Sequence, residues 1–386
     1  MSAPWGKLTG IRPGKIARKL LEDGLTSSQT KEVFLNKYQT DDKRADLAVE
    51  VAEKEIKFID NMFDNSISLY IGIPFCPSRC AYCSFISFSV EKSSSLMAPY
   101  IECLYKEISA TAKIAKELGK TVETIYIGGG TPTTLSADGL KYLIEHIFSS
   151  FDLSSIREFS VEAGRADTIT KDKINAIKSS GATRISINAQ SMYDGVLKAI
   201  GRKHTVHDFE NAFNTALSCG FDNINTDLIA GLPTESYDMF CRGLEKVIKM
   251  GPKEITVHTM SLKRASNINQ NIDDYDISDG DIAKQMMNFA IDKLRFSNFM
   301  PYYLYRQKNI LGGLENIGFA KAGYECLYNI YIMEEVQSIL AMGAGASTKL
   351  ITSDDIHRIF NVKEPTEYIN RIDEMIQRKN IIKDII

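Results

Sequence analysis

Residues 69–85 read LYIGIPFCPSRCAYCSF, an apolar run that leads into three cysteines, Cys76, Cys80 and Cys83, within eight residues. A disulfide uses two thiols. A structural zinc site usually pairs two C-x2–4-C or H-x3–5-H elements, and no second cysteine pair follows in this chain. Cys103, Cys219, Cys241 and Cys326 are scattered, mostly on helical patterns, and read as buried free thiols. A [4Fe-4S] cluster normally takes four thiolates. With three, one iron keeps an open position, as catalytic metals generally do for substrate. The loop therefore fits a cluster that binds and acts on a ligand.

Outward from that loop, the composition is that of an ordinary globular chain. Of 386 residues, 44% are hydrophobic and 25% charged. The 46 basic and 49 acidic residues give a net charge of −3, which points to neither a nucleic-acid binder nor a membrane-surface binder. The opening MSAPWGKLTGIRPGK lacks the apolar core of a secretory signal, and no apolar stretch reaches the roughly 18 residues of a membrane span. The expected location is the cytoplasm, where thiols stay reduced. TGIRPGKI is not a phosphate loop, because Thr9 and Ile16 stand where glycine and a hydroxyl residue are required.

Residues 1–66 are rich in Lys, Glu, Asp and Leu, with Leu47, Val51 and Ile56 at helical spacing, and read as a helical segment packed on the main body. From residue 67 to 298 short β-rich runs alternate with longer helical ones. The strands are expected at Ser68–Pro74, Glu123–Ile127, Glu158–Glu162, Arg184–Ala189, Asn223–Ile229 and Glu254–Met260. Such alternation means βαβ units and a parallel sheet with right-handed crossovers. Six units are too few to close an eight-stranded barrel, so the fold class is α/β, an open partial (β/α)6 barrel. Residues 299–386 break the alternation. PYYLYRQKN reads as a strand ending near Arg306 and TEYINRIDEMIQRKN as a helix, a C-terminal elaboration folded against the barrel mouth.

In parallel α/β folds ligands bind at the carboxyl ends of the strands. The first expected strand runs into the cysteines, the second into GGGTP (residues 128–132), and the third into VEAGR with Glu162 and Arg165. The fourth ends in NAQS with Gln190, the fifth carries Asp227, and the sixth carries His258. Singly, Glu162, Gln190 and Asp227 could each be loop or capping residues. Their gathering on one face points to a site. His258 reads as a hydrogen-bonded core histidine, and His146, inside a helical pattern, as structural.

C-x3-C-x2-C after the first strand of such a barrel, followed by GGGTP, resembles the radical S-adenosylmethionine superfamily. The resemblance implies a [4Fe-4S] cluster on Cys76, Cys80 and Cys83. The amino and carboxylate groups of S-adenosylmethionine would chelate its open iron, and electron transfer would cleave the sulfonium to a 5′-deoxyadenosyl radical. Within the superfamily, YIGIPFCPSRCAYCSF, YIGGGTPTTL, FSVEAGR, RISINAQSM, LKAIGRKHT and TDLIAGLP occur in the order seen in oxygen-independent coproporphyrinogen III dehydrogenases, over about residues 68 to 350. Carried over by position, Tyr70, Tyr82, Gly129, Gly130, Thr131, Glu162, Gln190, Arg202 and Asp227 fall on the family's cofactor contacts. Carboxylates suit ribose hydroxyls, Arg202 suits a cofactor carboxylate held by two prongs, and the glycines give backbone access without a Cβ.

Two departures bear on activity. The founding dehydrogenases extend the motif by a fourth cysteine, where this chain has Phe85. The related heme chaperones carry H-N-x-x-Y-W, where this chain has Tyr328 in place of the histidine and Met333 in place of the tryptophan. PWGKLTGIRPGK and the segments around PYYLYRQKN and GYECLYNIYIMEE resemble the HemZ-type branch, whose longer members carry more sequence before the Trp5 region, so the chain is expected to begin late. The resemblance implies oxidative decarboxylation of coproporphyrinogen III propionates to the vinyls of protoporphyrinogen IX. Arg165 and Arg306 would face the substrate's carboxylates, a flavodoxin- or ferredoxin-like donor would supply electrons, and the oxygen-labile cluster would need an anaerobic setting. A heme chaperone, and a radical enzyme acting on another tetrapyrrole, are the alternatives on the same scaffold.

Overall fold

Along the strands of the alternating region nearly every second residue is a hydrocarbon side chain and those between are polar. A strand built this way has one face for helices and one for a polar interior. The computed structural model describes residues 3–10, 12–84, 87–263, 266–271 and 275–386, and it realises this division. β1 (Ser66–Ile73), β2 (Thr121–Gly129), β3 (Glu158–Glu162), β4 (Arg184–Ser186), β5 (Ile224–Ala230) and β6 (Glu254–Thr259) lie side by side, all parallel. Ile67, Leu69, Ile71 and Ile73 of β1, Ile125 and Ile127 of β2, and Ile255 and Val257 of β6 are wholly buried. Each such side chain stabilises the fold by roughly 1.5–3 kcal/mol.

The helices that cover this outer face begin where the sequence supplies caps. α5 (Ala137–Ser150), α6 (Lys171–Ser179), α8 (Val206–Ser218) and α9 (Tyr237–Met250) start at Ser136, Thr170, Thr205 and Ser236, whose hydroxyls accept a first-turn backbone N–H. Each such cap contributes about 1 kcal/mol. α4 (Val90–Glu117) carries Pro99 and is interrupted by a non-helical Ser93. α7 (Asp194–Ala199) and α10 (Gly280–Phe296) complete the βα units.

The C-terminal segment, expected against the barrel mouth, meets it through residues 344–346. It continues the same sheet from both edges. β7 (Met300–Tyr305) and β8 (Asn316–Ala320) add antiparallel strands beside β6. β9 (Ser338–Met342) pairs parallel with β1, and β10 (Ser347–Ile351) and β11 (Ile356–Phe360) follow antiparallel. The order among the described residues is β11-β10-β9-β1-β2-β3-β4-β5-β6-β8-β7, eleven strands, seven of them parallel. The parallel strand β9 escaped the sequence reading because its run, SILAM, is apolar on both faces and its helical partner is short. The expected terminal helix is two, α12 (Pro365–Asn370) and α13 (Ile372–Lys379), broken at Arg371.

Helices α1 (Pro13–Glu22), α2 (Ser27–Asn36) and α3 (Asp42–Ile59) pack on the β7 side. Buried anchors fix them there: Trp5 Nε1 donates to Glu315 Oε2 at 2.7 Å, and Arg44 pairs with the same carboxylate at 3.0 Å.

The interior of the barrel is polar from floor to mouth. Near the floor, Arg184 and Glu254 form a two-pronged pair, each 1% exposed by side chain, with a third hydrogen bond from Tyr302 at 2.7 Å. Above them Ser68 and Thr124 meet at 2.7 Å, and Asn225 Nδ2 reaches Ser186 at 3.2 Å. The floor is closed by α11 (Leu327–Glu334), whose first N–H groups, Leu327 and Tyr328, donate to Glu158 at 2.7 and 3.2 Å. A carboxylate at a helix N-terminus is favoured by the exposed N–H groups and the helix dipole together. Removing one partner of a buried pair leaves an uncompensated charge. Arg184→Ala is therefore expected to destabilise the protein by about 3–5 kcal/mol in urea unfolding. A loss below about 1 kcal/mol would show that water reaches Glu254.

Candidate active site at the barrel mouth

The cysteine loop is held on three sides before any ligand is considered. Phe75–Cys76 pairs with Phe88–Ser89, so the loop leaves and rejoins itself. Gly130 N donates to Ile73 O at 2.8 Å and Thr131 N to Phe75 O at 2.7 Å, which seats the loop on the end of β2. Ala81 N bonds Ile200 O at 2.9 Å, and Ile268 N bonds Ala81 O at 3.0 Å. At Gly130 a Cβ would come within 2.7 Å of the Phe75 carbonyl and 3.0 Å of Cys76 Sγ. The missing side chain thus makes room first for the chain's own cysteine, and only beyond that for a ligand. Gly129, at φ +104°, occupies backbone space that side chains rarely reach.

All seven cysteines are free thiols. Of the three loop cysteines, Cys80 is buried and Cys76 and Cys83 are half-buried. Three free thiols on one short loop suit a cluster held at three of its corners. Burial pushes the Cys76 thiol up, opposed by hydrogen bonds from Thr131, at 3.4 Å, and Ser87. Of the other thiols, Cys103 and Cys326 are buried as expected, whereas Cys219 and Cys241 are half-buried. Phe85 lies outside the described residues.

Around the loop stand the residues singled out from the sequence. Tyr70 of β1 stacks on Tyr126 with ring centres 6.4 Å apart. Glu162, at the end of β3, accepts a short hydrogen bond from Tyr126 Oη. Burial and the charge of Asp227 push its carboxyl up to about 7. Asp227 accepts from Asn225 Nδ2 at 2.9 Å and has His258 Nε2 at 3.5 Å from its other oxygen. β4 is three residues shorter than predicted because the chain then lifts to place Gln190, at φ +65°, against β5. There Gln190 N bonds Asp227 O at 2.7 Å. A left-handed glutamine costs energy and marks a position over-determined by its surroundings. Arg202 ties the rim together: Nη1 donates to Gly164 O and Asn188 O at 2.9 and 3.0 Å, and Nη2 to Tyr82 Oη at 3.2 Å.

Three buried polar atoms on this rim have no protein partner: Gln190 Oε1, Asn188 Oδ1 and Arg202 Nε. Two acceptors and one cationic donor fit the amino, hydroxyl and carboxylate groups of S-adenosylmethionine.

The two arginines expected to face substrate carboxylates are differently employed. Arg165 is 3% exposed. Its five N–H groups go to both oxygens of Asp167, to Ser78 O and Oγ, and to Cys80 Sγ at 3.7 Å. It braces the cysteine loop. Arg306 donates to Leu8 O, Gly10 O and Gly313 O and lies over the Trp5 ring, pinning the N-terminal segment.

Sequence reasoning missed several rim residues. Tyr126, Asn188 and His258 lie on the lumen parity of their strands, which was the available signal. His258 is not a sealed core residue but a lumen one, its side chain 26% exposed. Residues Ala344, Gly345 and Ala346, after β9, line a cavity of about 90 Å³ with Tyr70, Gly72, Ile73, Pro74 and Gly129. No local pattern placed them there. Because the Gly130 cradle leaves no room, Gly130→Ala is expected to lower the iron and sulfide content of anaerobically reconstituted protein. Full cluster occupancy in that variant would show that the loop can shift to accept a methyl group.

Comparison with known proteins agrees with this geometry. The profile of the Radical SAM superfamily matches residues 70–247. The chain is 40% identical over 380 residues to the oxygen-independent coproporphyrinogen-III oxidase-like protein HemZ of Bacillus subtilis, covering 97% of this chain and 76% of that one. It is 28% identical to the heme chaperone HemW of Haemophilus influenzae over 82% of this chain and 79% of that protein. In fold it is similar to the coproporphyrinogen III oxidase HemN of Escherichia coli, a radical SAM enzyme, with a TM-score of 0.65, 21% identity, and coverage of 86% of this chain and 78% of the other. With three free thiols on a braced loop and unpartnered polar atoms around the mouth, this chain belongs to the radical SAM superfamily, among the oxygen-independent coproporphyrinogen-III oxidase-like proteins, and its cofactors are a [4Fe-4S] cluster and S-adenosylmethionine.

Proposed function

We propose that the protein is an oxygen-independent coproporphyrinogen III dehydrogenase, turning propionate side chains into vinyls to give protoporphyrinogen IX in heme biosynthesis. The observation that carries the reading is the presentation of Cys76, Cys80 and Cys83 at the mouth of a polar barrel ringed by Tyr70, Glu162, Gln190, Arg202 and Asp227. The name of the HemZ relative, covered over most of its length, supports the tetrapyrrole substrate. When bound, the cluster and S-adenosylmethionine supply hydrogen-atom abstraction from an unactivated carbon. Each propionate then loses a hydrogen atom, CO2 and one electron, and the electron needs an acceptor.

The chain's own share is placement and exclusion of water. Gly129, Gly130 and Thr131 set the floor of the cofactor site. Glu162 and Asp227 offer acceptors to its hydroxyls, and Gln190 and Arg202 bind its amino-acid end. Lys263, half-buried on the segment after β6 and within electrostatic reach of Cys83, is a mouth cation suited to a substrate carboxylate. A low-potential carrier of the flavodoxin or ferredoxin kind would deliver electrons, and the reaction would run without oxygen in the cytoplasm. No helix among the described residues is long and apolar enough to cross a membrane.

A heme-handling role like that of HemW fits less well. The segment corresponding to the chaperones' H-N-x-x-Y-W is α11, where Tyr328 and Met333 replace the histidine and tryptophan, and Tyr328 is 5% exposed, its ring stacked on Tyr126 at 4.7 Å and on Tyr70 at 6.5 Å.

The test is an anaerobic assay of reconstituted protein with S-adenosylmethionine, a low-potential reductant and coproporphyrinogen III, with Cys80→Ala as control. Coupled formation of 5′-deoxyadenosine and vinyl porphyrinogen, abolished in the variant, is expected. 5′-Deoxyadenosine without decarboxylation, from protein with an intact cluster, would overturn the substrate assignment.

A further inference from the structure

The lumen holds two carboxylates and one imidazole that the sequence places at strand ends, the imidazole read there as a core residue. Burial, and then the charge of Asp227 on β5, oppose the ionisation of Glu162 on β3. Their environments differ. Glu162 receives the Tyr126 hydroxyl, which donates to an anion but also tolerates a neutral acid. Asp227 has Asn225 Nδ2 on one oxygen at 2.9 Å and His258 Nε2 facing the other at 3.5 Å. His258 stands on the lumen face of β6, two residues beyond Thr256, and its side chain and that of Asp227 are 26% and 17% exposed to the lumen.

We infer that His258 is a positioning residue for the cofactor, standing against Asp227 so that this carboxylate is held turned to the mouth as an acceptor for it. The inference rests on the proposed contact between Asp227 and S-adenosylmethionine, and not on the identity of the porphyrinogen. The groups around Asp227 are consistent with it. Besides His258, Glu162 and Asn225, Asp227 faces Arg184 from β4, already tied to Glu254, and Tyr303 and Tyr305 from β7. Burial would raise the Asp227 carboxyl. His258, by hydrogen bond and charge, and then Asn225 hold it below the ordinary carboxylate value, while Glu162 rises. One anion and one neutral acid can accept from and donate to neighbouring ribose hydroxyls, whereas two anions could only accept and would repel.

The test measures S-adenosylmethionine affinity of cluster-loaded protein by equilibrium dialysis between pH 6.5 and 8.5 in wild type, His258→Phe, His258→Gln and Asp227→Asn. Removing the imidazole raises the Asp227 carboxyl, so more of it is protonated at neutral pH and ionisation returns as pH rises. His258→Phe is therefore expected to weaken binding about tenfold to a hundredfold at pH 7, with partial recovery at pH 8.5 that wild type does not show. His258→Gln, which keeps an N–H donor, is expected to lose less. Asp227→Asn should lose affinity without pH recovery. If Asp227→Asn loses affinity while His258→Phe matches wild type, the inference falls alone. If His258→Phe and His258→Gln lose affinity by one common factor at every pH, His258 is merely structural and the inference falls. If Asp227→Asn binds as wild type does, the Asp227 contact itself is wrong and takes the inference with it.

Discussion

A parallel strand covered by helices on one face has only its other face for chemistry. Here that second face is polar on all six barrel strands, from Ser68, Thr124 and Ser160 in the lower lumen to Glu162, Asp227 and His258 near the mouth. Polar groups withdrawn from bulk water must find partners, and each layer supplies them: Ser68 to Thr124, Asn225 to Ser186, Glu254 to Arg184 and Tyr302. The lumen is therefore a connected hydrogen-bonded lining. Its stiffness sets where the side chains at the mouth can point.

That stiffness matters because radical chemistry asks little of a protein in acid–base terms and much in placement. The cysteine loop is clipped to β2, to the turn after α7 and to the segment before α10 by backbone hydrogen bonds. Arg165 fills all its donors bracing the same loop. Against this rigid frame, the atoms left unpartnered at Gln190, Asn188 and Arg202 stand out as groups waiting for a ligand.

The two ends of the barrel divide the work. Buried ion pairs and the N-terminus of α11 close the floor, so access is from the mouth. The C-terminal strands, which extend the sheet at both edges, bring residues 344–346 to the rim beside Tyr70 and Gly129. The segment ahead of the N-terminal helices claims Arg306 for Trp5 and the backbone of Leu8 and Gly10, and so draws away a cation that chain position had put at the mouth.

The strand–helix alternation and the three-cysteine loop were both legible in order along the chain, because each is a local pattern: hydrophobic periodicity and thiol spacing. Glu162, Gln190 and Asp227 stood out by their places at strand ends, whereas Tyr70 and Arg202 were picked out only by the resemblance to the family. What the linear pattern could not carry was pairing across the sheet. That SILAM would lie parallel to β1, that Arg165 would turn back on Cys80, and that His258 would face Asp227 from the next strand are all decided by long-range register. A strand's own residues say which of them share a face, but only the neighbouring strand's position says what that face will meet.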